Sequence, residues 1–145
     1  MAGSGKSAIA QSISELLWNN PSPKSLPQVG PSTELSTCRL AASFFFNRQE
    51  KNRCSTERVV ATIAYQLAVS IPGLKGSICD VLRQDETILD MVVENQLQRL
   101  ILEPLRSLPQ LESSLVIVVD ALDECEDCIQ MAQIITLLAD PTSNP

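Results

Sequence analysis

The chain has 145 residues, 44% hydrophobic and 19% charged, a balance that supports a folded core and argues against a disordered tail. Its net charge of −6 and pI near 4.6 give no general attraction for a phosphate backbone, and no local basic stripe compensates, so nucleic acid is not an expected partner. No apolar run reaches the roughly 18 to 20 residues that cross a bilayer, and the N-terminus lacks a basic-then-apolar signal pattern; no membrane role and a cytoplasmic location are expected.

The elements follow in chain order. Ile9, Ile13, Leu16 and Leu17 recur at offsets of a helix face, predicting a helix over Ser7 to Trp18 that begins inside a glycine loop and stops before Pro21. The stretch from Asn19 to Thr37 is rich in Pro, Ser, Gly and Thr and predicts a long loop. Arg39 to Phe46 is a short continuous apolar run, as expected of a parallel-sheet strand covered on both faces. Val59, Val60, Ile63, Leu67 and Ile71 predict a helix that ends at Pro72, and Leu74 to Leu82 another short one. Leu97, Leu100, Ile101 and Leu105 mark a longer helix that Pro104 is expected to end or bend. Leu115 to Val119, the most β-branched run, predicts a second buried strand ending at Asp120, and Ile129 to Leu138 a final amphipathic helix. Apolar strands among helices predict an α/β sandwich with parallel strands.

The five cysteines, Cys38, Cys54, Cys79, Cys125 and Cys128, are odd in number and mostly isolated, which suits reduced thiols better than a disulfide framework. Cys125 and Cys128 form a C-x-x-C. With no second pair, no histidine in the chain and no Pro or Gly between them, neither zinc nor redox chemistry is expected.

The chemistry-bearing residues fall in two segments. Gly3-Ser4-Gly5-Lys6-Ser7 has the order of a phosphate-binding loop. Glycines let backbone N–H groups converge on the anion, Lys6 would reach the β- and γ-phosphates, Ser7 would place its hydroxyl on Mg²⁺, and the following helix would aim its positive end at the phosphates. The bland alternative for these residues is a Gly/Ser-rich helix entry with a solvated lysine. The second segment puts Asp120 at the end of a strand with Asp123 and Glu124 just beyond it, where ligands sit in open α/β sheets. Asp120 could hold Mg²⁺, and Asp123 or Glu124 could polarise a water for attack on a γ-phosphate. Here the bland alternative is a polar helix cap after a core strand. Arg48, after the triple phenylalanine, could face the site or be a solvated loop residue.

Four segments together carry a family resemblance: Ala2-Gly3-Ser4-Gly5-Lys6-Ser7, Leu40-Ala41-Ala42-Ser43-Phe44-Phe45-Phe46, Ala61-Thr62-Ile63-Ala64-Tyr65-Gln66-Leu67, and Ile117-Val118-Val119-Asp120-Ala121-Leu122-Asp123-Glu124-Cys125. In this order they resemble the NACHT domains of fungal NLR-like proteins, STAND P-loop NTPases also grouped as nephrocystin-like N-terminal domains. The resemblance implies one partial P-loop NTPase domain over residues 1–145, a three-layer sandwich with its first and later strands missing and an insertion at about 19–37. It implies a signal-transduction switch that binds ATP or GTP with Mg²⁺ and self-associates with NACHT relatives. Gly3, Ser4, Gly5, Lys6 and Ser7 would be Walker A, Asp120 the Walker B magnesium carboxylate, and Asp123 and Glu124 the catalytic acids, with Glu124 orienting water.

The pattern G-x-x-x-x-G-K-[ST], counted back from Gly5, puts its first glycine one position before Met1, and the strand that should precede the loop is absent. Met1 is therefore expected to be an internal methionine of a longer protein. After the last helix the chain closes with Asp140-Pro141-Thr142-Ser143-Asn144-Pro145, where relatives continue into further strands, a sensor residue and a lid. In the sheet order that the resemblance implies, the two strands present would be neighbours, with one sheet edge uncovered. Ordering about five unanchored loop residues would cost about 5 to 10 kcal/mol, against about 8 kcal/mol for micromolar binding, so feeble nucleotide affinity and turnover are expected. The Asn19 to Thr37 stretch is either a tolerated surface loop or untranslated sequence read through. Two other readings compete. One is a non-catalytic interaction fragment docking on relatives through its sheet edge. The other is a P-loop kinase, disfavoured by only eleven Lys and Arg and no clustered basic lid.

Overall fold

The computed structural model describes residues 6–19, 38–109 and 114–139. Gly3, Ser4 and Gly5, the loop from Pro21 to Thr37 and the closing segment from Asp140 lie outside the described residues. In chain order the elements are α1 (Lys6–Asn19), β1 (Cys38–Phe45), α2 (Thr56–Ser70), α3 (Pro72–Gln84), α4 (Val93–Leu97), α5 (Glu103–Ser107), β2 (Ser114–Asp120) and α6 (Cys128–Ala139). Each predicted element is present within a few residues of its expected bounds.

β1 and β2 pair in parallel, with Phe44 opposite Val119 and Phe45 opposite Asp120. Parallel neighbours need a crossover, and here it carries α2 through α5. The architecture is mixed α/β, mostly helical, around a two-stranded parallel sheet whose strands are neighbours. Among the described residues no helix is long and apolar enough to cross a membrane.

The outer edge of β1 is closed by side chains. Ala41, Ser43 and Phe45 alternate along the strand and so present backbone groups to the same edge. Ser70 Oγ donates to the Ala41 carbonyl at 3.1 Å. Ser43 donates its N–H to Gln66 Oε1 at 2.7 Å, and its carbonyl accepts from Gln66 Nε2 at 2.9 Å, so one amide side chain stands in for a neighbouring strand. Arg53 Nε donates to the Phe45 carbonyl at 2.9 Å. Gln66 and Ser70 lie one turn apart on α2, so one helix face does most of this work. The register slips between Leu40 and Ala42, leaving Ala41 without a partner in β2 and its carbonyl turned to Ser70.

The core lies between the sheet and the crossover helices. Val59, Ile63 and Leu67 of α2, Leu74 and Ile78 of α3, and Leu97, Leu100 and Ile101 are all buried in one cluster with Ala42, Phe44 and Phe46 of the strand region. Gln96 is buried among them with its needs met, since Nε2 donates to the Leu89 and Met91 carbonyls at 2.9 and 2.8 Å and closes the turn before α4.

One local expectation is narrowed and one is corrected. Pro104 does not end its helix, which runs on to Ser107. A π-helical stretch, Gln98–Leu102, precedes it, and the Glu103 N–H donates to the Gln98 carbonyl five residues back. The shifted bonding pattern takes up the proline's missing donor and ring. In α1 the expected apolar stripe does not face the core: Ile9, Ile13 and Leu16 are 62%, 47% and 53% exposed, and Ser14 is the buried position. Helical periodicity was correct there, but the described sheet has only two strands for that helix to cover.

At the far end of the crossover, Asp85 accepts from Thr87 and pairs with Arg99, and these bonds hold its carboxyl below the usual carboxylate range. A depressed folded-state value means that this contribution is present above the ordinary carboxylate pKa and is lost as pH falls below it. Asp85→Asn should therefore flatten the acid side of a stability-versus-pH curve below about pH 4, measured by urea unfolding. Gln66→Leu leaves the Ser43 N–H and carbonyl unpaired and should cost about 1 to 3 kcal/mol, with increased light scattering from the newly opened strand edge. An unchanged midpoint would mean that the edge closure contributes nothing.

Candidate functional site

The site is built at the carboxyl end of the parallel pair. Leu17 and Trp18 lie against Arg39 and Leu40 at the start of β1, while Gln11 and Ser14 share a groove with Ser43 and Phe45 further along. The first helix therefore runs antiparallel to β1 and carries Lys6 and Ser7 toward the end where Asp120 sits. Both residues are exposed, and the first turn holds no acidic residue to offset the positive end of the helix dipole.

Asp120 closes β2. Its carbonyl accepts from the Phe46 N–H at 3.1 Å, which fixes the end of the ladder. Its Oδ2 atom is buried and has no hydrogen-bond partner among the described residues. A buried acceptor left unsatisfied costs about 1 to 3 kcal/mol, and such atoms are scarce in folded proteins. Directly after it, Ala121 has φ 56° and ψ 42°, the left-handed conformation, which costs a non-glycine residue about 1 to 2 kcal/mol. Two unfavourable features in adjacent residues set the direction in which the chain leaves the strand and enters the turn Leu122–Glu124.

Asp120, Asp123 and Glu124 thus share one turn above the sheet. Asp123 is exposed and Glu124 half-buried. Glu124 is already engaged: its Oε2 accepts the Arg48 N–H at 2.9 Å, while Arg48 reaches back with its guanidinium to the Asp123 carbonyl at 2.5 Å. Arg48 is an exposed loop residue that also reaches the acidic turn, where it clamps the segments that follow β1 and β2.

That clamp is one of four cross-links between the two segments. Besides the Phe46 and Arg48 contacts, the Cys54 thiol donates to Glu126 Oε1 at 3.2 Å while the Glu126 N–H donates to the Cys54 carbonyl at 3.0 Å. Thr56 Oγ1 donates to Gln130 Oε1. Periodicity carries no information about these pairs, because they join segments 72 to 76 residues apart. The sequence hint was basic residues, Arg48, Lys51 and Arg53, in one polar segment and a run of acids in the other.

The C-x-x-C is split between environments. Cys125 is buried and Cys128 exposed, and the Cys128 Sγ lies 3.5 Å from the Cys125 carbonyl. The Glu126 hydrogen bond raises the Cys54 thiol pKa, and burial raises that of Cys125. Among the described residues no group of three or more His, Cys, Asp or Glu gathers as a metal cage.

A hard divalent cation of the Mg²⁺ kind does not require such a cage. It commonly takes one or two carboxylates, keeps several waters and shares phosphate oxygens. The unpartnered Asp120 oxygen and the Ser7 hydroxyl are donors of that type, so the residues fit such an ion.

Ala→Gly in an ordered segment normally costs up to about 1 kcal/mol, but Ala121→Gly should be neutral or stabilising by up to about 1 kcal/mol, because relief of left-handed strain opposes the entropy term. Thermal unfolding checks this, and a clear loss of stability would show that the turn is not strained. Iodoacetamide should modify Cys128 well before Cys54 and Cys125, since the latter two are buried with raised thiol pKa values and Cys128 is exposed; peptide mass spectrometry gives the order.

Comparison with curated proteins and with solved structures returned no match. The family model described as "Nephrocystin 3, N-terminal" matches residues 1–145, the full length of the chain. The parallel pair, its acidic turn and the antiparallel first helix are thus the described part of a domain of this kind, and the chain belongs to the Nephrocystin 3, N-terminal family.

Proposed function

We propose that this chain is a nucleoside-triphosphate-binding switch domain of the NACHT type, built on a P-loop three-layer sandwich and related to fungal NLR-like signalling proteins. The observation that carries the proposal is the unpartnered, buried Oδ2 of Asp120 at the carboxyl end of a parallel strand. An unmet acceptor in that position is a standing cost to the free protein that an oxygen-seeking cation would relieve. The antiparallel course of α1 supports the same reading, since it directs Lys6, Ser7 and the helix dipole to the end where Asp120 lies.

In this proposal Gly3, Ser4 and Gly5 offer backbone N–H groups to the phosphates, and Lys6 neutralises charge on the terminal phosphates. Ser7 and Asp120 hold Mg²⁺, which when bound offsets charge developing on the phosphate oxygens. Asp123 and Glu124 are the acids available to orient water. Glu124 Oε2 accepts from the Arg48 N–H, which holds that carboxylate beside the turn, and slow turnover of a switch belongs to the same proposal. ATP is the preferred nucleotide of the proposal, with GTP as the competitor in the assay, and self-association with related domains and a cytoplasmic setting belong to the same proposal.

A second reading, a non-catalytic interaction module, draws on the sheet edges. Side chains close β1, and among the described residues β2 has β1 as its one strand neighbour, so further strands would add at β2.

Labelled ATP titrated in Mg²⁺ should bind wild type more tightly than Lys6→Ala by at least tenfold, and EDTA should weaken wild type in the same way. Equal affinity for both proteins would remove the P-loop reading and favour the interaction module. Asp120→Ala should abolish the Mg²⁺ dependence while raising the stability of the nucleotide-free chain by about 1 kcal/mol, as the desolvated oxygen is removed.

A further inference from the structure

We propose that the cleft between α2 and α3 binds a single-chain anionic amphiphile, a monomeric carboxylate with an apolar tail. The cleft has a volume of about 650 Å³, inside the range of about 300 to 1,000 Å³ typical of small-molecule sites. It exists because the second helix contributes Ala61, Ala64 and Ala68 to this face, and their short side chains leave space that longer ones would fill. Ile78 and Leu100 form a buried apolar floor. Val69, Leu82 and Leu89 stand on its rim at 58%, 38% and 52% exposure. Scattered exposed apolar side chains are ordinary, but these surround one concavity and form contiguous apolar surface.

The head group follows from two residues of the lining, Tyr65, which is 70% exposed, and the exposed Lys75, whose side chains carry a hydroxyl and a cation. Among the described residues neither has a hydrogen-bond or ion-pair partner. One unpaired cation and one hydroxyl beside an otherwise apolar cleft complement a single carboxylate attached to a tail. The chain carries a net charge of −6, so an anion is not drawn to it in general and would have to be recognised locally, at Lys75. Cys79, half-buried in the same lining and one helical turn beyond Lys75, reports on occupancy without taking part in it. None of the lining residues belongs to the proposed nucleotide site, so the two proposals stand or fall separately.

The experiment titrates the full chain with dodecanoate below its micellar concentration, with dodecanol and dodecylammonium as neutral and cationic comparators. Heat of binding and the alkylation rate of Cys79 are followed, with Cys128 as internal reference. Expected are one saturable site, at least tenfold slower alkylation at Cys79 with Cys128 unchanged, and about tenfold weaker dodecanoate binding in Lys75→Glu with dodecanol binding unaltered. Ala68→Leu, which fills the cleft, should lose all three ligands that bind. If that variant fails to fold by circular dichroism, the split between ligands in Lys75→Glu decides alone, because Lys75 is exposed. Absence of saturable binding, equal affinity for dodecanoate and dodecylammonium, or concentration-dependent protection of Cys79 without ligand would each overturn the proposal. The last outcome would assign the cleft to a second copy of the chain.

Discussion

The parallel pairing of β1 with β2 is the interaction on which the rest of the structure depends. Two strands that run the same way release the chain at the same end, so the segments after Phe45 and after Asp120 emerge side by side. Once there, they are joined by Phe46 to Asp120, Arg48 to Asp123 and Glu124, Cys54 to Glu126, and Thr56 to Gln130. The acidic turn is thereby held by its neighbour rather than left as a free surface loop. An antiparallel arrangement of the same strands would send the two segments to opposite ends and leave Arg48 without a partner for its N–H in Glu124.

The second constraint acts on the other edge of β1. A strand with one neighbour has unpaired backbone groups, which invite association. Here α2 places Gln66 and Ser70 one turn apart to meet those groups, and Arg53 meets the last carbonyl. The same helix packs Val59, Ile63 and Leu67 into the core. One helix therefore both covers the sheet and terminates it, which fixes the direction in which additional strands would join.

The site differs from this well-satisfied framework. Within two residues, Asp120 leaves a buried oxygen unpartnered and Ala121 adopts a left-handed backbone. Elsewhere the buried Gln96 amide nitrogen donates to two carbonyls. Unmet acceptors and strained backbone cost stability and persist only where the surrounding structure enforces them. Their coincidence at the carboxyl end of a parallel strand is the physical ground for reading that end as the functional one.

The sequence by itself determined the elements. Period and composition suffice for local structure, so the β-branched run ending at Asp120 is a strand, the Val59 to Leu67 spacing is a helix, and the order of acids after the strand is legible without coordinates. It also predicted parallel strands, while their being neighbours was implied only by the family resemblance. Tertiary structure alone decided which side chains close an edge, what Arg48 touches, and that Ile9, Ile13 and Leu16 remain exposed. Pro104 belongs with these: a proline rule allows an end or a bend, and the π-helical bonding before it let the helix continue. The difference is one of range. Periodicity reports which residues share a face of one element, whereas partners 23 or 76 residues away, as for Ser43 with Gln66 and Arg48 with Glu124, exist only once the crossover has brought separate elements together.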